Sequence, residues 1–203
     1  MSIEIKISKR PISYIKAMNI LNKRVQEVKE NKNREFLWIL EHPLTYTAGI
    51  TYDENEILDK KISIIKTNRG GKITLHNPGQ TIIYFVLNLN KRKKDIRKFI
   101  NIIEISIIEF LKAYNIKGIK DKKNIGIWVN DNKIAAIGLR VSKWVAYHGC
   151  SINIKNNLIE YLKIIPCGLN NKKITSVYKE TKKEIKDFEK KLVLIFIKNL
   201  KNI

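Results

Sequence analysis

The stretch RGGKITLHNPGQTIIYFVLNL, at residues 69–89, carries the strongest signal for the fold of this chain. Its two adjacent glycines, Gly70 and Gly71, let the backbone take positive φ angles or approach a ligand closely. After a turn at Pro78-Gly79 the segment becomes a continuous apolar run, which is typical of a buried strand. A tight connection between two strands would explain the glycines equally well, because a double glycine alone is a weak signal.

Other short apolar or alternating segments predict strands around this one. The alternating start of the chain predicts an edge strand, and the apolar run FLWIL at 36–40 predicts a buried one. Two segments on either side of Asp131-Asn132 predict a β-hairpin. The predicted strands are 3–7, 36–40, 62–66, 81–89, 125–130, 133–141 and 145–154.

Helical periodicity separates these strands. Apolar residues at helical spacing predict amphipathic helices at about 11–30 and 95–114. A short helix at 158–162 and a last helix that begins at the N-cap Ser176 complete the pattern. The segment 44–59 contains a glycine and a polar cluster and predicts a long loop, which in a compact domain is often functional. We therefore predict an α/β (α+β) protein, with helices packed on a mixed sheet.

Length and composition predict a single domain over residues 1–203. The first residues lack the apolar core of a secretory signal, and the longest apolar run, LVLIFI at 192–197, is far too short to span a membrane. We therefore expect a soluble, cytoplasmic protein. In that compartment Cys150 and Cys167 are not expected to form a disulfide.

The net charge of +21 and the pI of 9.9 are typical of nucleic-acid-binding modules. The lysines, however, accompany isoleucine and asparagine throughout the chain and do not form one basic stripe. This distribution favours a solvated basic surface and no nucleic-acid partner. A basic surface would also attract an acidic protein.

Cys167 stands between Pro166 and Gly168, where a thiol is held at a stiff turn. A free cysteine often packs as a small hydrophobic residue, and from the residues alone that interpretation stays open for Cys167 and for Cys150. A thiol presented at a turn is also a candidate nucleophile, provided that its surroundings lower its pKa.

Several motifs resemble, in their order along the chain, those of the lipoyl(octanoyl) transferases. They are EHPLTYTAG at 41–49, RGGKITLHNPGQTIIY at 69–84, GIWV at 126–129, KIAAIG at 133–138, Trp144 with His148-Gly149, and PCG at 166–168 with Thr175-Ser176. The resemblance extends over about 36–177. It departs from the family at Leu75, where an aromatic residue is usual, at Asn77, where glycine is usual, and at Phe85, where proline is frequent.

The resemblance implies the fold of the biotin/lipoate protein ligase catalytic domain and an acyltransferase activity. Members of this family move an octanoyl group from acyl carrier protein to a lysine of lipoyl domains, which is the first step of endogenous lipoate biosynthesis. The implied acceptors are the lipoyl domains of 2-oxoacid dehydrogenase complexes and the glycine cleavage H protein. No cofactor, metal, nucleic acid or membrane is implied, and no Cys/His spacing in the sequence is typical of a zinc site.

The resemblance also implies the roles of individual residues. Cys167 is expected to be the nucleophile that carries the acyl group as a thioester, and Lys133 the base that lowers the pKa of the thiol. His76 and His148 are alternatives for the base, because Cys-His pairs are common in thiol enzymes. The resemblance places both histidines in substrate positioning instead.

Backbone N–H groups near Gly138 or Gly168 are expected to stabilise the oxyanion. The predicted substrate-binding residues are Arg69, Gly70, Gly71, Lys72, Ile73, Thr74, Leu75, His76, Ala136, Ile137, Gly138, Gly149, Cys150 and Ser151, with His148 in a positioning role.

Two other functions remain alternatives at this point. An ATP-dependent lipoate or biotin protein ligase would share the fold but would activate a free acid and would not need Cys167. A basic nucleic-acid-binding module would show no catalysis and a steep dependence of binding on salt.

Overall fold

A computed structural model describes residues 3–121, 124–166 and 173–203 of the chain. Within these ranges ten strands form two sheets. The strands are β1 (Ile3–Ile7), β2 (Glu35–Leu40), β3 (Thr45–Ala48), β4 (Ile64–Lys66), β5 (Ile73–His76), β6 (Gln80–Asn88), β7 (Ile119–Lys120), β8 (Ile127–Val129), β9 (Asn132–Ser142) and β10 (Val145–Asn153). A seven-stranded sheet has the order β1-β2-β6-β10-β9-β8-β7, and a three-stranded sheet has the order β4-β3-β5.

Four α-helices lie in the same described ranges, namely α1 (Tyr14–Lys29), α2 (Ile96–Lys112), α3 (Val177–Thr181) and α4 (Glu189–Leu200). Short 3-10 turns occur at Glu54–Glu56, Leu89–Lys91 and Ile159–Lys163. None of the helices in the described part of the chain is both long and apolar enough to cross a membrane.

The large sheet is mixed and is covered by helices on both faces. Its edge strand β1 runs parallel to β2, whereas the other neighbouring pairs are antiparallel. Alternate residues of β2 enter different cores: Leu37 packs with α2 and α4, and Trp38 packs with α1. A strand buried on both faces has no polar side, which explains why β2 appears in the sequence as an unbroken apolar run.

The small sheet builds a third apolar cluster, which contains Tyr46 of β3, Ile73 and Leu75 of β5, and Tyr161. Two elements of this sheet differ from the sequence prediction. The predicted loop 44–59 contains β3 and a 3-10 turn, and β5 lies inside the glycine-rich run. Strands of four residues are too short to show a clear alternation, and they form because they pair with each other from Thr45↔His76 to Ala48↔Ile73.

The helices predicted at 11–30 and 95–114 are confirmed, and the short helix predicted at 158–162 is the 3-10 helix Ile159–Lys163. One helix was expected from Ser176 onwards, but the chain forms α3 and α4, which are separated by Lys182 with a left-handed φ of 58°. The hairpin of β8 and β9 is confirmed, although its turn lies one residue earlier than predicted, at Asn130 and Asp131 with φ of 46° and 62°. Positive φ at both central residues is typical of the tight turns that match strand twist.

We expect Phe85→Ala to destabilise the protein strongly, because Phe85 is fully buried and joins the sheet to both helices of the larger core. Its ring lies 5.8 Å from that of Phe99 in α2 and 5.4 Å from that of Phe196 in α4. Truncation of such a ring costs roughly 3–5 kcal/mol of unfolding free energy. Urea denaturation measures the loss; Leu194→Ala on the exposed face of α4 is the control, and an equal effect of the two variants would contradict this assignment of the core.

Candidate active site

A cavity of about 440 Å³ opens between the glycine-rich loop and strands β9 and β10. Its volume lies within the range of roughly 300–1,000 Å³ that is usual for small-molecule sites. Apolar side chains of α2, including Ile96 and Ile100, contribute one part of the wall, and Arg69, His76 and His148 contribute another. The cavity therefore offers an apolar surface together with a small number of polar groups.

The loop at 69–72 is held by its own arginine. The buried guanidinium of Arg69 donates from Nη2 to the carbonyl oxygen of Thr47 at 2.8 Å and to its hydroxyl at 2.9 Å. Backbone bonds from Gly70 N to Leu139 O and from Gly49 N to Lys72 O fix the loop on both sides. Gly71 has a φ of +88°, which other residues rarely adopt. The loop thus forms a fixed wall of the cavity.

Strands β9 and β10 place Gly138 directly opposite Gly149. A side chain at 149 would collide with the carbonyl oxygen of Ile83 on β6, so only glycine permits this approach of the strands. The preceding residue, His148, has a φ of 64°. Gly138 and Gly149 both line the cavity.

All three histidines of the chain meet at the polar end of this cavity. His42 Nδ1 lies 2.6 Å from the carbonyl oxygen of Ile12, which can only accept, so Nδ1 carries the hydrogen and Nε2 accepts from the Tyr84 hydroxyl at 2.8 Å. The His42 and His76 rings are 5.6 Å apart. His148 Nε2 donates to Asn68 Oδ1 at 2.9 Å.

Burial keeps these imidazoles neutral. Burial, together with the neighbouring His42 and Arg69, lowers the pKa of His76 to about 3. Burial also lowers the pKa of His148 to about 4, with the charges of Arg69 and Arg140 acting in the same direction. A base with so low a pKa removes protons from a thiol poorly, and the arrangement is better suited to holding a substrate by hydrogen bonds.

Gln80 anchors the His76 side of the site. Its carbonyl Oε1 accepts from His76 Nδ1 at 2.7 Å, and its Nε2 donates to Asn153 Oδ1 and to the Tyr161 hydroxyl, each at 2.9 Å. Asn77, where the family usually has glycine, has no positive φ and lies buried. Its side-chain amide donates a hydrogen bond to the carbonyl oxygen of Asn157 at 2.8 Å. This contact joins the loop after His76 to the chain at Asn157.

Most of the predicted substrate-binding residues line this one cavity. They are Arg69, Gly70, Gly71, Lys72, Thr74, His76, Ala136, Ile137, Gly138, Gly149, Cys150 and Ser151, together with Lys133 and His148. Ile73 and Leu75 are fully buried in the core of the small sheet and do not line it. Cys150 also packs in the larger core as a free thiol, and burial raises its pKa.

Lys133 is the second residue of β9 and is 5% exposed, so its side chain lies inside the protein as its apolar setting predicts. Its ammonium lies 5.3 Å from the centre of the Trp128 ring, where a cation interacts favourably with the aromatic face. Lys133 lines the main cavity and also a smaller one that contains Pro166 and Ile174.

The predicted nucleophile Cys167, and Gly168 beside it, lie outside the described residues. The described chain on both sides of them lies next to Lys133. Pro166 shares a small cavity with Lys133, and the backbone of Lys133 accepts from Thr175 N and donates to Lys173 O, each at 2.9 Å.

Several cavity residues were not predicted from the sequence. Tyr14, Tyr84 and Ile125 line the cavity, and His42 supports it from behind. Tyr14 starts α1, more than fifty residues before the glycine-rich loop, so no local pattern links the two. Tyr84 belonged to the recognised motif. A tyrosine within an otherwise apolar strand was a signal that could have identified it as a cavity residue.

We expect acid to destabilise the protein partly through His148. Its native pKa lies below the ordinary value of 6.5, so the unfolded chain binds a proton that the native state does not bind as pH falls from about 6.5 to about 4. The difference in unfolding free energy between wild type and His148→Asn should therefore shift by roughly 2 kcal/mol in favour of the variant between pH 7 and pH 5.

Asparagine suits this test because it tolerates the positive φ of position 148. Urea denaturation at pH 8, 7 and 5 measures the effect. The difference between the two proteins should be the same at pH 8 and pH 7. If it were also unchanged at pH 5, His148 would not be a neutral buried histidine.

The chain is similar in sequence to known proteins. The family model of the lipoyl protein ligase A/B catalytic domain matches residues 13–197. An octanoyltransferase of Wolbachia pipientis wMel is 46% identical over 176 residues, which cover 84% of this chain and 86% of the relative. An octanoyltransferase of Wolbachia sp. subsp. Brugia malayi is 44% identical over 176 residues, with the same coverage of 84% and 86%.

The fold also matches a solved structure, an archaeal bi-partite lipoate protein ligase from Thermoplasma acidophilum. The TM-score is 0.76 at 13% identity, and the match covers 98% of this chain and 84% of that one. A likeness at this identity confirms the predicted ligase-like fold and says nothing of activity. The family model and the two octanoyltransferases confirm the resemblance in sequence: the chain belongs to the lipoyl protein ligase A/B catalytic domain family and, within it, to the octanoyltransferases.

Proposed function

We propose that this acyltransferase moves an octanoyl group from octanoyl-acyl carrier protein to a lysine of a lipoyl domain, through a thioester on Cys167. Membership among the octanoyltransferases makes it an enzyme with an acyl donor and a lipoyl-domain acceptor in general terms. The donor, the thioester and the roles of single residues are the proposed part.

The position of Lys133 is the observation that supports this proposal best. Among the many lysines of the chain it is buried, and it lies between the main cavity and the chain that leads into and out of Cys167. An amine at this point can exchange a proton with a thiol at the edge of the cavity.

In the first half-reaction the Lys133 amine accepts the proton of the Cys167 thiol, and the thiolate attacks the carbonyl carbon of the octanoyl thioester. The bond between that carbon and the carrier sulfur breaks, and the carrier thiolate takes the proton back from Lys133. In the second half-reaction a lysine amine of the acceptor attacks the acyl-enzyme. The bond to Cys167 breaks, and Lys133 passes the released proton to the sulfur.

Both half-reactions pass through a tetrahedral oxyanion. We place backbone N–H groups near Gly138 or Gly168 around that oxygen. Preorganised donors at this point lower the barrier by stabilising the developing negative charge. Conversion of a thioester to an amide is downhill, so the reaction needs no ATP. This separates the proposal from the ligase alternative, in which ATP activates a free acid.

The apolar part of the cavity is the proposed site of the octanoyl chain. Each methylene buried there contributes about 0.8 kcal/mol, so removing one lowers binding roughly four-fold. The chain would lie against Ile137, Gly138 and Gly149, with Arg69 and His148 at its polar end. His76 and His148 would position the substrate as neutral groups.

The finer identity of the partners is proposed by analogy with the same family. We place the enzyme in the cytoplasm, at the first step of endogenous lipoate biosynthesis, with lipoyl domains of 2-oxoacid dehydrogenase complexes and the glycine cleavage H protein as acceptors. The high positive charge of the surface would favour an acidic carrier protein at low salt.

We expect the protein to gain one octanoyl group when it is incubated with octanoyl-acyl carrier protein in the absence of ATP. Intact-mass spectrometry measures the adduct, and peptide mapping should locate it on the peptide that contains Cys167 and not on that of Cys150. Cys167→Ala should gain no group. An adduct that needs ATP and free octanoate, or that persists in Cys167→Ala, would contradict the proposed mechanism.

We expect Lys133→Met to slow both half-reactions by roughly 10²–10⁴-fold, the usual contribution of general acid–base catalysis. Rapid-quench mass spectrometry measures acylation, and transfer from purified acyl-enzyme to a lipoyl domain measures the second step. Lys133→Arg keeps the charge but cannot give up its proton, so it should be about as slow as Lys133→Met. If Lys133→Arg retained the wild-type rate, Lys133 would act by charge alone and would not be the base.

A further inference from the structure

We infer that Glu56 is a positioning residue, which holds the wall of the acyl cavity and the chain leading to Cys167 at a fixed separation. This inference rests on the proposed function, because that function makes the cavity the acyl site and Cys167 the nucleophile. Glu56 lies at the end of the 3-10 turn Glu54–Glu56, between β3 and β4, and does not line the cavity itself.

The carboxylate of Glu56 is buried, with 5% of its side chain exposed. In the same 3-10 turn, Glu54 and Asn55 are exposed to solvent. A carboxylate held out of water is costly unless a cation and hydrogen-bond donors compensate. The groups that bind this carboxylate therefore indicate its structural role.

One set of partners belongs to the cavity wall. Oε1 of Glu56 forms an ion pair with the ammonium of Lys72, which lines the cavity, and Oε2 accepts from the backbone N–H of Ile73 at 3.4 Å. Lys72 and Ile73 follow directly after Gly70 and Gly71, where the backbone has the most conformational freedom. Glu56 thus restrains the loop directly after its two glycines.

The other set of partners belongs to the chain that leads to Cys167. The backbone carbonyl of Glu56 accepts from Ile165 N at 2.7 Å, and Ile57 forms a β-bridge with Ile164. The N–H groups of Leu58 and Asp59 both donate to Lys163 O at 3.0 Å. Ile165 stands two residues before Cys167 in the sequence.

Glu56 therefore contacts two segments that the proposed reaction uses. Its side chain contacts the acyl-binding loop, and its backbone contacts the chain that leads to the nucleophile. A displacement of reacting groups by about 1 Å can lower a rate by roughly 10²-fold. The ion pair is a suitable brace, because the buried carboxylate of Glu56 depends on the Lys72 ammonium to compensate its charge.

The test compares Glu56→Gln with Glu54→Gln, which removes the same charge from the same 3-10 turn at an exposed position. In single-turnover acylation by octanoyl-acyl carrier protein, Glu56→Gln should be slower by roughly ten-fold at saturating donor. The half-saturating donor concentration should change much less, because positioning acts on the reacting groups after the donor has bound. Glu54→Gln should match wild type, and Glu56→Asp should fall between wild type and Glu56→Gln.

Hydrogen exchange gives a readout that does not depend on catalysis. In Glu56→Gln the amides of both Ile73 and Ile165 should exchange faster than in wild type, whereas Glu54→Gln should leave them unchanged. If wild type formed no acyl-enzyme, the proposed function would fail, while the exchange data would still decide whether Glu56 braces the two segments.

Lys72→Met tests the same pair from its more exposed end if Glu56→Gln does not fold. It should slow acylation and speed hydrogen exchange at the same two amides. The double variant Glu56→Gln/Lys72→Met should acylate no more slowly than the slower single variant. The inference is wrong if Glu56→Gln acylates as fast as Glu54→Gln, if only the Ile73 amide responds, or if the effects of the two substitutions multiply.

Discussion

The close approach of β10 to β6 at Gly149 is the constraint on which the site depends. It requires a residue without a side chain, and it is accompanied by a left-handed conformation at His148, which places that ring beside Tyr84 and Asn68. The same register sets Gly138 of β9 opposite Gly149 and directs Cys150 into the larger core. A shift of one residue would exchange the two faces of β10 and remove the cavity wall.

Buried polar groups make the second contribution to the architecture, because several of them are matched to specific partners. Arg69 is held by Thr47, His76 by Gln80, and His42 by Ile12 and Tyr84. Neutral imidazoles avoid the cost of burying several positive charges near the Arg69 guanidinium. The outcome is a rigid polar end beside an apolar cavity, an arrangement that orients a substrate without supplying a strong base.

The reliability of the sequence predictions followed the length and periodicity of each element. The helix α2 and the strands β2, β6 and β10 were predicted because their apolar patterns extend over several turns or fill a strand buried on both faces. The strands β3 and β5 were missed because four residues carry no clear period, and pairing between distant segments stabilises them. The break between α3 and α4 was missed because a lysine, not a glycine, takes the left-handed conformation there.

Net charge was a poor guide to function, since a composition typical of nucleic-acid binders belongs here to a member of an acyltransferase family.

The sequence by itself determined the family and the fold class. The order of the motifs and the apolar periodicity can be recognised without knowing which residues contact each other. Only the tertiary structure decided which residues meet. It brought Tyr14 and His42 to a cavity otherwise built from segments far along the chain, and it sent Ile73 and Leu75 into a core although they lie within the same motif as Arg69. The physical reason is that strand pairing and side-chain burial act between residues that are distant in sequence, and local pattern carries no information about those pairings.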